Sequence, residues 1–124
     1  FKPSVIFDIN ESKIQLGCDI GIVDICINKD INHLRKNNHF IDHNMHNYRS
    51  NDGGFCGKSK IIGFMHRSNP EKAGYIYSVQ EDSYHLIDSS IHIPNSFIEI
   101  NPLFAWTSHV NIFFDRNLYL YFPQ

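Results

Sequence analysis

The chain has 124 residues, 42% of them hydrophobic and 19% charged, with a formal net charge of -2. The hydrophobic fraction excludes a disordered tail, no apolar run reaches the roughly 18 residues that span a bilayer, and the charge gives no overall electrostatic footprint for nucleic acid. At roughly 100–150 residues per domain, the expectation is one domain over 1–124 with a core of its own.

Composition points to strands. Ile occurs 18 times, Phe 10 and Tyr 6, against two Ala and six Leu. Ile, Phe and Tyr lose rotamer freedom against a helix turn but fit a pleated surface. AT-rich codons favour several of the same residues, so periodicity is the independent check. It agrees. Val5, Phe7 and Ile9 alternate, Asn10-Glu11-Ser12 reads as a turn, and Ile14 and Leu16 resume the alternation, which together make a hairpin. The turn is also a glycosylation sequon, and with 13 Asn and 11 Ser one such match is what chance provides. Ile20 and Ile22 then fall on one parity, Ile25 and Ile27 on the other. A β-bulge at Val23-Asp24 or a continuously buried strand explains the change.

Further strand runs are Lys60 to Met65, Gly74 to Val79, Tyr84 to Ile87, Ser96 to Ile100, His109 to Phe114 and Leu118 to Phe122, separated by Pro- and Asn-containing breakers. The spacing predicts an all-β domain, a sandwich or barrel of about six to nine short antiparallel strands. In the last run a three-residue loop at Asp115-Arg116-Asn117 pairs 109–114 with 118–122. One face then carries Val110, Ile112, Phe114, Leu118, Leu120 and Phe122. The other carries His109, Asn111, Phe113, Tyr119 and Tyr121, either an aromatic binding surface, extended by Arg116 and Trp106, or part of a second packing layer.

One stretch, 28–59, reads as a long polar loop. It holds four of the eight histidines and seven Asn, and loops longer than about 12–15 residues are usually functional or mobile. Asp30 is placed to cap a short helix bearing Ile31 and Leu34. His39, His43 and His46 lie at i, i+4 and i+7. On a helix they would share one face and suit a divalent transition metal; otherwise they are incidental histidines of a solvated loop, and no cofactor is called for.

The three cysteines, Cys18, Cys26 and Cys56, match no zinc spacing, and one disulfide plus a thiol or three thiols both remain open. Asp52 to Ser59 approximates a phosphate-binding loop but fails at its first glycine, where Asp52 stands. The segment Gly54-Phe55-Cys56-Gly57, followed by Ile61-Ile62-Gly63-Phe64-Met65-His66, resembles the nucleophile region of viral 3C-like cysteine proteases. That resemblance implies Cys56 as nucleophile beside an oxyanion hole, His66 as specificity residue and Asp19 or Asp24 as the acid. It covers Gly54 to about Tyr75. No histidine precedes His33, so the family's general base has no counterpart in the first part of the chain. A second arrangement pairs Cys56 with His109, as papain-like hydrolases pair thiolate and imidazolium.

The chain opens on Phe1-Lys2-Pro3-Ser4, as a processed product or excised domain does, and shows no targeting segment. The leading expectation is a non-enzymatic recognition module of a secreted or viral protein. It would bind a protein or glycan partner, rather than nucleic acid, through the long loop and through Asn111, Phe113, Arg116, Tyr119 and Tyr121. A cysteine hydrolase built on Cys56 and His109 stands second, and a metal-binding loop of His39, His43 and His46 third.

Overall fold

The computed structural model describes residues 2–27, 34–36, 45–81, 83–100, 103–108 and 118–121; for 34–36, 45, 100, 103–108 and 118–121 the backbone alone is described. Three antiparallel sheets follow one another along the chain. The first runs β1 (Pro3–Ile9), β2 (Lys13–Cys18), β3 (Gly21–Cys26), β4 (Leu34–Lys36). The second, entered through a 3-10 turn at Met45–Asn47, runs β5 (Tyr48–Cys56), β6 (Ser59–His66), β7 (Tyr75–Gln80), β8 (Ser83–Asp88). The third runs β9 (Pro94–Ile100), β10 (Leu103–Ser108), β11 (Leu118–Tyr121). Within each sheet, strands pair in chain order, so each sheet is a meander.

The sheets stack with their first strands side by side, β5 lying between β1 and β9. Three polar bonds tie these strands at their N-terminal ends. Ser4 Oγ donates to Ser50 Oγ at 2.7 Å, Asn51 Nδ2 donates to the Pro94 carbonyl at 2.9 Å, and the Ser96 N–H donates to Asp52 Oδ2 at 2.8 Å. The first strands therefore run in the same direction.

Because successive residues of a strand face opposite ways, Ile61 and Ile62 serve two different cores. Ile62 and Phe64 pack with Phe7 and Ile22 of the first sheet and with Tyr48 and Val79. Ile61 and Ile76 pack with Cys56 and Ile91, and Phe97 of the third sheet lies against them. Ile61, Ile62 and Phe64 are at most 1% exposed, and burying each contributes about 1.5–3 kcal/mol. A strand covered on both faces loses its alternation, which is why β6 reads as a continuous apolar run. Two glycines mark where the sheets come closest. A Cβ on Gly17 would lie 2.9 Å from Ile62 Cδ1, and one on Gly63 would lie 2.6 Å from Pro94 Cβ and Cγ. A third cluster, Leu16, Cys18 and Val23, occupies the remaining face of the first sheet.

The expected all-β antiparallel architecture is the one the chain adopts, and the β1–β2 hairpin closes where the pattern places it. Asn10 Oδ1 accepts from the N–H groups of Ser12 and Lys13 there. Three details differ, and between the bulge and the continuously buried strand the second is found. The described strands number eleven rather than six to nine, in three layers. Residues 28–59 are not one loop, since they contain β4 and β5. The β2–β3 ladder is continuous from Lys13↔Cys26 to Cys18↔Gly21. The parity change there reflects burial on both faces, and the irregularities of this sheet fall in β1. Finally, β11 pairs with Leu103–Ser108, whereas 109–114, the expected partner, lies outside the described residues. The three cysteines are free.

Candidate functional site

Parallel first strands and meander connections determine which loops meet. The end at which β1, β5 and β9 begin also carries the β2–β3 turn at Asp19-Ile20, the β6–β7 connection 67–74 and the β8–β9 connection 89–93. The strand ends Lys36, Ser108 and Leu118 lie at this end as well.

The described part of this loop end is bonded into one network around Arg67. Its guanidinium donates to Asp19 Oδ2 at 2.7 Å and to the His46 carbonyl at 3.0 Å, and its own N–H donates to the Asn47 carbonyl at 2.8 Å. Asp19 Oδ1 accepts the Lys2 N–H at 2.9 Å. Burial pushes the Asp19 carboxyl up, but the bonds from Arg67 and Lys2 and the positive charges outweigh it, so the group is held below its ordinary value. Nearby, Tyr48 Oη donates to the Ala73 carbonyl at 2.9 Å, and the Gly74 N–H donates to the Ile91 carbonyl. His66 is buried, and its Nδ1 accepts the Asn69 N–H at 3.1 Å, which closes the turn after β6. Loops held this way present a preformed surface rather than a mobile fringe.

The candidate residues from the sequence distribute unevenly. His46 sits at the loop end with its side chain exposed; His39 and His43 lie outside the described residues. Among the described residues no three His, Cys, Asp or Glu side chains gather as metal ligands would. Tyr119 and Tyr121 are in β11, where the register sets them opposite Trp106 and Phe104. His109, Asn111, Phe113 and Arg116 lie outside the described residues, although the strand ends that border them, Ser108 and Leu118, are at the loop end.

Cys56 is at the other end. It is buried with Ile61, Ile76 and Ile91. Burial, reinforced by the Glu99 carboxylate, pushes its thiol up, whereas an activated nucleophile needs a depressed value. Glu99 accepts the Gly57 N–H at 2.7 Å and is opposite Phe104, while Ser108 is opposite Pro94. The five residue steps of β9 from Pro94 to Glu99 span about 17 Å at the strand rise, which separates Cys56 from the strand end that precedes His109. The set implied by the protease resemblance is likewise dispersed. Cys56 and His66 occupy opposite ends of the β5–β6 ladder, Asp19 is bonded to Arg67, and Asp24 accepts from Gln15 Nε2 at 2.9 Å. Sequence reasoning missed Arg67 because a single basic residue beside a Ser-Asn-Pro breaker carries no periodic signal.

Meander sheets stacked face to face, with adjacent parallel first strands and loops gathered at their starting end, are blades of the β-propeller type. A solved structure has this arrangement: the regucalcin of Agrobacterium tumefaciens str. C58, described as a calcium-binding protein, superposes on 86% of the chain with a TM-score of 0.72 at 24% identity. The match takes in 36% of that protein's chain, so the present chain spans about a third of its length. No family model matches the chain, and no curated protein does.

Proposed function

We propose that the chain is a non-enzymatic recognition module whose loop end engages a protein or glycan partner. One observation carries this reading: the connections at the starting end of the first strands are bonded to one another through Arg67, Asp19, Tyr48 and Gly74. A rigid scaffold that displays fixed loops on one side is the usual physical basis of recognition. The sealed environment of Cys56 supports the same conclusion, since its thiolate is disfavoured where a hydrolase would need it. Among the described residues no helix is long and apolar enough to cross a membrane. The calcium of the regucalcin description has no gathered set of acidic ligands among the described residues, and it forms no part of the proposal.

Site-specific photo-crosslinking in the cells that make the protein tests the reading. A photoreactive residue replacing His46, at the loop end, should form a discrete adduct, and the same residue replacing Lys58, in the β5–β6 turn at the far end, should not. Adducts confined to position 58, or loss of a hydrolytic activity on Cys56→Ala, would overturn it.

A further inference from the structure

We propose that Asn10 is an acceptor for N-linked glycan. Asn10-Glu11-Ser12 is the one Asn-x-Ser/Thr triplet in the chain, and the structure places it where a glycosyl acceptor has to be, at the exposed tip of the β1–β2 hairpin. The side chain is also held in one orientation. Asn10 Oδ1 accepts the Ser12 N–H at 2.9 Å, the Ser12 hydroxyl at 3.0 Å and the Lys13 N–H at 3.0 Å. All three bonds use the amide oxygen, and Nδ2, the atom that takes the sugar, makes none among the described residues. The hydroxyl two positions on, which the acceptor motif requires, is thereby folded back onto the amide before any enzyme binds.

A second, independent observation comes from the surface beside the turn. Ile9, the residue before Asn10, is 60% exposed, and Ile27, whose N–H donates to the Ser12 carbonyl at 2.9 Å, is 47% exposed. Exposed aliphatic side chains flanking one turn invite association, and a glycan rooted at Asn10 would stand beside them. The hairpin tip is at the end opposite the Arg67 network, so a glycan there leaves the loop end open. The chemistry is a group transfer from a polyprenyl-diphosphate-linked oligosaccharide. Nδ2 forms a bond to the anomeric carbon, the bond from that carbon to the diphosphate oxygen breaks with its electron pair leaving on the polyprenyl diphosphate, and the proton released from Nδ2 passes to a base of the transferring enzyme.

The test is a mass measurement on the full chain recovered from the cells that make it. Peptide N-glycosidase in 18O-water should convert Asn10 to 18O-labelled aspartate in the peptide that spans it. In the same cells Asn10→Gln and Ser12→Ala should lose the glycan completely, and Ser12→Thr, which retains the hydroxyl, should keep it. Recovery of Asn10 wholly unmodified before the enzyme is added, or a glycan that survives Asn10→Gln, would overturn the proposal.

Discussion

Substituting Gly63 by Ala places one methyl group in the contact between the second and third sheets. Gly63 has no left-handed backbone angle, so alanine is conformationally acceptable there and would stabilise by about 0.4–1 kcal/mol through the unfolded chain if space allowed. Space is lacking. The new Cβ would stand 2.6 Å from Pro94 Cβ and Cγ and 3.0 Å from Phe97 Cζ. Pro94 is a closed ring that is less than 2% exposed, and its carbonyl is held by Asn51 Nδ2, so it has no rotamer by which to retreat. Overpacking of this kind costs about 1–3 kcal/mol, which leaves a net loss of about 1–2 kcal/mol. In thermal unfolding that is a fall of roughly 4–8 °C for a chain of this length. Urea denaturation should show a lower midpoint with an unchanged slope. Gly17→Ala is the comparison: its Cβ would meet Val5 Cγ1, Phe7 Cε2 and Ile62 Cδ1, tips of rotatable side chains, and the loss should be smaller. Combining Gly63→Ala with Pro94→Gly should cost less than the sum of the two, because the ring that clashes has gone. A Gly63→Ala protein as stable as its parent would refute the placement of β9 against β6.

Three further outcomes follow from named contacts. Cys56 should react with iodoacetamide more slowly than a model thiol at pH 8, and Glu99→Gln should speed it, since the carboxylate beside the thiol disfavours the thiolate; labelling faster than the model thiol would contradict the assignment. Tyr84→Phe removes the hydroxyl that accepts the Ile22 N–H at 3.0 Å, leaves a buried donor unpaired and should cost about 1–3 kcal/mol in urea melts. The folded carboxyl of Asp19 titrates below its unfolded value. Its contribution is therefore present above the unfolded value and lost as pH falls through the folded one, below about pH 4. Asp19→Asn should lower stability at pH 6 and flatten the decline between pH 5 and pH 2; an unaltered acid limb would show that the Arg67 pair contributes nothing to it.

Much of the strand content was legible because several strands obey simple rules. β1, β2, β7 and β8 combine β-branched and aromatic residues with turn signals at Asn10-Glu11-Ser12 and around Pro70, and each lies where its run predicts. β5 was not legible. Its centre, Ser50-Asn51-Asp52-Gly53-Gly54, has neither alternation nor β propensity, because a first strand clasped between two others uses polar side chains to bond sideways and glycines to admit Phe7 and Phe97. A reading that equates polar with loop misses a strand of this kind. Layering was hidden for a related reason: adjacent apolar residues such as Ile61 and Ile62 announce burial on both faces but not what covers each. The candidate site was legible only in fragments. His46 and Asp19 were singled out, but their meeting through Arg67 joins segments 19, 46 and 67, a long-range pairing that no local pattern encodes.

β6 faces the first sheet with one row of side chains and the third sheet with the other. Methyl and aromatic proton cross-relaxation in solution measures this directly. The stacked arrangement predicts contacts from the Ile62 δ1 methyl to Val5 and Phe7, and separate contacts from the Phe97 ring to Gly63 and from the Phe97 β-protons to Gly54. If Ile62 instead showed contacts to Phe97 or Pro94, or if either set were absent while the chain was folded, the two faces of the second sheet would not be covered as described and the arrangement of sheets, with the loop end it creates, would be wrong.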